Sequence, residues 1–239
     1  MSLFSKLFGR DKKAATYPQD TITARDGSTI TFTFYAHASM GIEWNGVHIY
    51  VDPVGESDWQ SQPRADIVLV THSHYDHLEL STIEQLQTPQ TVVVCDKTSA
   101  DAFEHDCITM LPGATSQPVE GIVVKAVAAY NISEGHTDFH PQSREDCGYL
   151  ITLGGTTIYV AGDTEDNDDV MSLQGVDVAF LPVNQPYTMT IEQAARAVKA
   201  IKPTLFYPYH SGQVEQKTDI DALVKLLEGV CEVRVFPME

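Results

Sequence analysis

The sequence predicts an α/β protein in which two β-sheets pack face to face between outer helices, forming a four-layer αβ/βα sandwich. Two observations predict this fold. Hairpin strands open each half of the chain, and short apolar strands then alternate with helical segments. A length of 239 residues suits one large domain or two tightly fused halves. Because no sequence repeat is strong enough to prove two halves, we expect a single domain over residues 27–239.

Residues 1–26 are predicted to be an extension followed by a linker over 17–26 that ends in an Asp-Gly turn. The first 13 residues lack the long apolar core and the cleavage site of a signal peptide. They suit a frayed extension, a helix that packs on the body or on a second copy in a homo-oligomer, or weak peripheral contact with a membrane surface. The features behind the last alternative are an apolar helix face of Leu3, Phe4, Leu7 and Phe8 beside the basic residues Lys6, Arg10, Lys12 and Lys13.

The first half of the domain is predicted to begin with antiparallel strands and to continue with buried ones. Residues 29–35 alternate apolar and polar side chains, as a half-buried strand does. Asn45-Gly46 is the strongest short hairpin signal, and it joins strands at 40–44 and 47–51. The remaining predictions are a buried strand at 67–70, a helix from a capping box at Ser81 to about 87, a strand at 91–94 and a helix at 98–104.

The second half repeats this order. Gly154-Gly155 joins two strands in a hairpin, and Thr190 opens a helix through a second capping box with Gln193. The predicted strands lie at 122–128, 149–153, 156–160, 176–181, 204–207 and 232–236. One predicted helix runs from the Thr190 capping box to about 201, and another runs from 220 to 227.

Three histidines and an aspartate directly follow the predicted strand at 67–70. His72 and His74 lie two residues apart and can hold one metal ion, whereas Asp76 and His77 follow after a turn and reach a second ion. Imidazole nitrogen and carboxylate oxygen are the ligands that zinc and similar divalent ions prefer. A polar loop with this many histidines by chance is improbable, because the whole chain has only nine. The segment therefore predicts a metal site.

The pattern His72-x-His74-x-Asp76-His77 resembles the signature of the metallo-β-lactamase fold superfamily. The resemblance extends from Thr29 to His210, and the surrounding residues are similar to the subgroup that contains ascorbate-6-phosphate lactonase and the phospholipase D acting on N-acyl phosphatidylethanolamines. It implies a metallo-β-lactamase-like sandwich that binds two divalent metal ions. Zinc is the default, and Mn²⁺ or Fe²⁺ fits the same ligand types.

The resemblance also implies the remaining metal ligands. Asp163 resembles the carboxylate that bridges both ions, and His210 resembles the terminal histidine of the second ion. Two histidines of the loop at 131–147 compete for the last position at the first ion. His136 follows a glycine as in many relatives but lies far from the next strand, so His140 is preferred on this analogy.

Further residues are expected around these ligands. Asp52 ends its strand just before Pro53 and resembles the acidic residue that orients metal-binding histidines. His37 lies where the subgroup often has a histidine near the site, although a structural role fits it equally well. The candidate pocket residues are Asn131, His136, Arg144, Asn184, Tyr187 and Tyr209.

This ligand set implies a metal-dependent hydrolase, in which a hydroxide bound to two metals attacks an ester, a lactone or a phosphodiester in a small molecule. Asp76 is expected to be both a ligand and the catalytic proton shuttle. His74 argues against the flavo-di-iron oxygen reductases, which resemble this fold but have glutamate at that position. The alternative is a non-catalytic metal-binding or scaffold protein on the same fold, and a β-lactamase or a nuclease is less favoured.

Composition narrows the partners and the compartment. The net charge of −18 repels phosphate backbones, so general nucleic-acid binding is not expected. A small anionic substrate stays compatible, because bound cations dominate the local field. The four cysteines form neither a disulfide pattern nor a zinc motif, which favours a cytoplasmic location. No apolar run approaches the ~20 residues of a transmembrane helix.

Overall fold

The computed structural model describes residues 16–103, 107–211 and 217–238. Within them, two seven-stranded β-sheets pack face to face and helices cover their outer faces, so the predicted sandwich is confirmed. The basic and apolar segment at 1–13 lies outside the described residues. No helix of the described residues is long and apolar enough to cross a membrane.

The front sheet contains seven strands in sequence order. They are β1 (Gln19–Thr23), β2 (Thr29–Phe34), β3 (Met40–Trp44), β4 (Val47–Val51), β5 (Ile67–Val70), β6 (Val92–Asp96) and β7 (Ile108–Met110). Neighbours are antiparallel up to β4 and parallel from β4 onward. Every residue of β5 is buried, as the continuous apolar run predicts.

The back sheet has the same arrangement. Its strands are β8 (Thr115–Val119), β9 (Ile122–Ala128), β10 (Cys147–Leu153), β11 (Thr156–Val160), β12 (Val178–Pro182), β13 (Leu205–Tyr209) and β14 (Glu232–Val233). They lie in sequence order, antiparallel up to β11 and parallel afterwards. The two sheets therefore share one topology, which no sequence repeat had indicated.

Helices complete the outer layers. The front sheet carries α1 (Leu80–Leu86) and α2 (Lys97–Ala100), and the back sheet carries α3 (Asp168–Met171), α4 (Ile191–Ile201) and α5 (Ile220–Leu226). Ile83 and Leu86 of α1 pack on the front sheet, and Ala194 and Val198 of α4 pack on the back sheet. Between the sheets, the rings of Phe180 and Tyr207 stack with centroids 4.6 Å apart.

Three predictions about local structure were wrong. The predicted linker at 17–26 contains β1, whose five residues all pair with β2. The helix predicted at 98–104 ends at Ala100. The capping box at Ser81 is absent, because α1 begins at Leu80 with Glu79 in the N-cap position, and the Glu79 carboxylate accepts hydrogen bonds from the hydroxyls of Ser81 and Thr82 rather than from the helix backbone. The capping box between Thr190 and Gln193 is confirmed.

Direct contacts tie the two sheets together where β5 ends. The Tyr149 hydroxyl donates to the carbonyl of Val70 at 2.7 Å, and the Cys147 amide donates to the carbonyl of Thr71 at 3.1 Å. Gly148 lies so close to the loop after β11 that a Cβ would stand 2.4 Å from the carbonyl oxygen of Ala161. The loops that leave both sheets therefore meet at one edge of the sandwich.

Candidate metal centre

Histidine and aspartate side chains from five loops converge at this edge. Loops that leave the ends of adjacent strands lie side by side, so residues distant in sequence come together there. The converging residues are His37 of the β2–β3 turn, the four motif residues His72, His74, Asp76 and His77 after β5, His140 between β9 and β10, Asp163 after β11, and His210 after β13.

A first group consists of His72, His74 and His140, whose candidate ligand nitrogens lie within 4.8 Å of one another. Nε2 of His72 and Nδ1 of His74 are 3.1 Å apart. Nε2 of His140 lies 3.3 Å from Oδ2 of Asp163. The structure thus places His140, rather than His136, beside the first two histidines of the motif.

A second group consists of His37, Asp76, His77 and His210, with ligand atoms again within 4.8 Å of one another. The Nε2 atoms of His77 and His210 are 3.1 Å apart, and each lies 3.3 Å from Oδ1 of Asp163. Asp163 therefore stands between the two groups with one carboxylate oxygen toward each.

His37 belongs to the second group more closely than the sequence indicated. Its Nε2 lies 2.9 Å from Oδ2 of Asp76, and its ring centroid is 3.9 Å from that of His210. The resemblance predicts His37 near the site, but its contacts with Asp76 and His210 depend on the turn that carries it and so follow from the fold.

Buried polar atoms without hydrogen bonds show that these groups fit metal ions. Nε2 of His140 and Oδ1 of Asp163 are buried, and neither makes a hydrogen bond with any residue the structure describes. Buried polar atoms are nearly always paired, so such atoms need a further partner. Facing imidazole nitrogens and a carboxylate form a donor set that a divalent transition metal satisfies.

Partners behind the histidines fix their orientation. Asp52 is fully buried, and its Oδ2 accepts a hydrogen bond from Nδ1 of His77 at 2.8 Å. Nδ1 of His140 lies 3.2 Å from the backbone carbonyl oxygen of Tyr187, which also accepts a hydrogen bond from the Asn131 amide. Such contacts fix which ring nitrogen faces a metal.

Burial keeps His72 and His74 of the first group in the neutral form that binds metal. Burial, assisted by the charge of His77, lowers the pKa of His72 well below its ordinary value. Burial also lowers the pKa of His74 to about 4, and His140 acts in the same direction. Metal binding to these two residues would therefore not compete with a proton at neutral pH.

Both carboxylates of the centre are held in the ionised form. Burial acts to raise the pKa of Asp163, but the charges of His210 and His77 outweigh it and lower the pKa well below its ordinary value. Burial likewise acts to raise the pKa of Asp76, but the hydrogen bond from His37 and the charge of His77 lower it to about 2. Each carboxylate is thus available as an anionic ligand.

Three residues of the centre have left-handed backbone conformations that non-glycine residues rarely adopt. The φ angles are 59° at His37, 44° at Asp52 and 51° at His210. Such a conformation costs about 1–2 kcal/mol per residue. Strain of this kind collects at functional sites, where the surrounding structure holds it in place.

A family model, the β-lactamase superfamily domain, matches residues 31–210. The chain belongs to the β-lactamase superfamily. The matched residues include every histidine and carboxylate of the two groups. The structure therefore accounts for the superfamily membership through the same loops that build the candidate centre.

Relatives of this β-lactamase superfamily chain include a metal-dependent hydrolase of Pyrococcus furiosus, 33% identical over 76% of this chain and 84% of the relative. A crystal structure described as that of a metal-dependent hydrolase from Parabacteroides distasonis is 35% identical, covers 93% of this chain and 100% of its own, and has a TM-score of 0.87. The di-iron β-hydroxylase CmlA of Streptomyces venezuelae shares the fold alone, with 18% identity, 87% and 53% coverage of the two chains and a TM-score of 0.68.

Four predicted pocket residues of this superfamily member, Asn131, His136, Arg144 and Tyr209, do not line the space above the two groups, although Asn131 lies behind His140. Tyr209 is 1% exposed in the core between the sheets, because β13 continues through it and strand alternation turns its ring inward. Asn131 is buried and braces the loop before His140 through Tyr187. His136 lies outside both groups, with Nδ1 3.5 Å from Oε1 of Glu165.

Proposed function

We propose that this protein is a metal-dependent hydrolase that uses two divalent ions, zinc by default, on an ester, lactone or phosphodiester bond of a small molecule. One observation carries the proposal. The two groups of ligand atoms flank Asp163, and each faces a different oxygen of its carboxylate. The relatives described as metal-dependent hydrolases support the same activity.

The chain's own residues hold and orient the reacting groups. When bound, two such ions supply a hydroxide nucleophile at neutral pH and polarise a substrate oxygen. Nδ1 of His140 donates to the Tyr187 carbonyl, and this contact directs Nε2 at the first group. Nε2 of His37 donates to Oδ2 of Asp76, and this contact holds the carboxylate in place. Asp76, held as an ionised group, would act as a ligand of the second ion and as the nearby carboxylate that relays a proton.

Metal content and hydrolysis, measured on the same preparation, test the proposal. We expect about two ions per chain by elemental analysis. We also expect turnover of one class from a panel of phosphodiester, lactone and β-lactam substrates, lost on chelation and restored by zinc. Asp76→Ala should lower kcat by about 100-fold or more, whereas Glu84→Gln on the exposed face of α1 should not change it.

Each alternative has its own outcome in this experiment. Two ions without turnover of any substrate would favour the non-catalytic metal-binding protein. Full activity in a metal-loaded Asp76→Ala variant would contradict the role of Asp76. Failure to bind metal would overturn the proposal as a whole. Elemental analysis also distinguishes zinc from iron. The fold alone does not identify the metal, because a di-iron enzyme shares it.

A further inference from the structure

A cleft of about 1150 Å³ opens over the two ligand groups. Its floor contains His37, Asp76, His140 and Asp163, so a molecule seated in the cleft touches both groups. This volume accommodates an organic molecule considerably larger than the bond to be cleaved. The walls of the cleft therefore contact the part of the substrate that lies beyond the scissile bond.

One wall of the cleft is acidic. Glu56, Glu79 and Asp138 line it. Glu56 and Asp138 are exposed and have no ion-pair partner among the residues that the structure describes. Glu79 is held in place, since its carboxylate accepts hydrogen bonds from the Gly55 amide and the Thr82 hydroxyl. These three carboxylates add negative charge to the lining beyond the ligand groups, apart from the charge of the ions that those groups would hold.

Within the described part of the chain, no lysine or arginine lines the cleft. Arg144, a pocket candidate from the sequence, lies behind His74 instead. Its Nε donates to both carboxylate oxygens of Asp146, at 2.8 and 3.2 Å, and one terminal nitrogen donates to the Ser73 hydroxyl. Its charge is thus offset by Asp146, and it is not positioned to bind an anionic group in the cleft.

Aromatic rings also line the cleft. Tyr75 is 89% exposed and Tyr187 is 39% exposed, and both line the cleft. Phe139 lies edge-on against Tyr187, with ring centroids 4.9 Å apart. Exposed aromatic faces beside carboxylates are the surroundings in which proteins bind organic cations.

A buried amide at the same cleft also requires a ligand. Asn184 lines the cleft and is 3% exposed, yet its Oδ1 makes no hydrogen bond with any described residue. Its backbone is fixed by hydrogen bonds in both directions with the Thr188 hydroxyl. The side-chain amide of Asn184 is therefore a hydrogen-bonding group at the cleft whose oxygen has no described partner and can accept from an N–H of a bound molecule.

We propose that the cleft selects substrates that carry a positively charged, amine-type group beyond the scissile bond. The acidic and aromatic walls attract that group, and the amide oxygen of Asn184 accepts one of its N–H bonds. This inference rests on the proposed function, because the ligand groups define where the scissile bond lies. It narrows the substrate class, since the sequence alone left an anionic substrate open.

Matched hydroxamic acids test the inference through binding rather than turnover. The probes are 6-aminohexanohydroxamic acid, uncharged hexanohydroxamic acid and the monohydroxamate of adipic acid, which share a metal-binding head and differ in terminal charge. Calorimetric titration of the zinc-loaded protein should give the tightest binding for the amine and the weakest for the carboxylate. We expect about a tenfold span in Kd at low salt, and a narrower span at high salt.

Variants show whether a preference for the amine probe comes from the residues of the cleft or from the net charge of the protein. The double variant Glu56→Gln, Asp138→Asn should remove most of the preference for the amine, and Asn184→Ala should weaken the amine probe more than the uncharged one. The control Glu84→Gln, Glu228→Gln changes the net charge equally at exposed positions outside the cleft lining and should keep the preference.

The inference and the proposed function fail in different ways. If the uncharged or the carboxylate probe binds as tightly as the amine, or if the double variant keeps the preference, the inference is wrong while the hydrolase proposal stands. The altered residues lie outside both ligand groups, so zinc content is measured independently. Repeating the titrations on the chelated protein ranks the three probes by their Kd values even if the protein binds no metal ion.

Discussion

At the residue scale, a single buried carboxylate supports both ligand groups. Oδ2 of Asp52 accepts from Nδ1 of His77 at 2.8 Å and from the Thr71 hydroxyl at 2.7 Å, while Oδ1 accepts from the Thr71 amide. The same hydroxyl lies 3.0 Å from Nδ1 of His72. Asp52 therefore orients one histidine of each group, His77 of the second group directly and His72 of the first group through Thr71.

Replacing this carboxylate should weaken metal binding without touching a ligand. We expect Asp52→Asn to lower the affinity for zinc about 10- to 100-fold, because the oriented histidines lose their shared acceptor. Competition with a chromogenic chelator measures the Kd, and circular dichroism checks that the variant folds. Glu84→Gln is the matched control. An unchanged Kd would mean that packing alone orients the two histidines.

The sequence predicts residues of this centre where local spacing carries the chemistry. His72 and His77 belong to one short motif, so the cluster they form follows from the sequence. His37 and Asn184 have no such motif, and their positions depend on turns that only the complete fold brings together. The strand predicted at 204–207 ends two residues before β13 does, and alternation through Tyr209 turns its ring into the core.

At the element scale, buried strands are predicted well and edge strands poorly. Continuous apolar runs such as β5 and β12 carry a strong signal because both faces are covered. The strands β1, β7 and β8 lie at the edges of the sheets. The sequences Gln19–Thr23 and Thr115–Val119 are mostly polar, so their pairing depends on a neighbouring strand rather than on their own hydrophobicity.

The unpredicted strand β1 is fastened to the back sheet through Asp20. Oδ2 of this residue accepts from the Tyr207 hydroxyl and from the Arg234 guanidinium, each at 2.7 Å. Burial acts to raise the pKa of Asp20, but the hydrogen bonds from Arg234 and Tyr207 outweigh it and lower the pKa below its ordinary 3.8. The carboxylate form therefore stabilises the fold above this pH, and the contribution is lost as the pH falls through the lowered value.

Asp20→Asn should lower the free energy of unfolding by about 1 kcal/mol at pH 7, since the contacts are part-exposed and only their net hydrogen-bond contribution is lost. The difference from the native protein should shrink as the pH falls below about 4. Urea denaturation between pH 7 and pH 3 measures both effects. Asp101→Asn, at an exposed position after α2, is the control. Equal unfolding free energies at pH 7 would show that β1 is held by its pairing with β2 alone.

At the scale of the whole molecule, the candidate centre requires both sheets. The loops of the front sheet supply His37, Asp52 and the motif from His72 to His77, and those of the back sheet supply His140, Asp163 and His210. Neither half contains both groups. Because the hydrogen bonds from Tyr149 and Cys147 join the sheets beside the motif, we expect the described part of the chain to fold as one unit.

Metal binding should consequently stabilise the whole sandwich rather than one loop. Each ion that binds only the folded chain contributes about 2.7 kcal/mol when the free ion is about 100 times its Kd, so two ions contribute about 5 kcal/mol. For a protein of this size that corresponds to a rise in Tm of about 10 to 20 °C. Differential scanning calorimetry of the chelated protein, with and without added zinc, measures it. Calcium is the control, since it prefers oxygen ligands and the two groups are mainly imidazole. An equal Tm with and without zinc, or an equal rise with calcium, would contradict a histidine-based centre that links the two sheets.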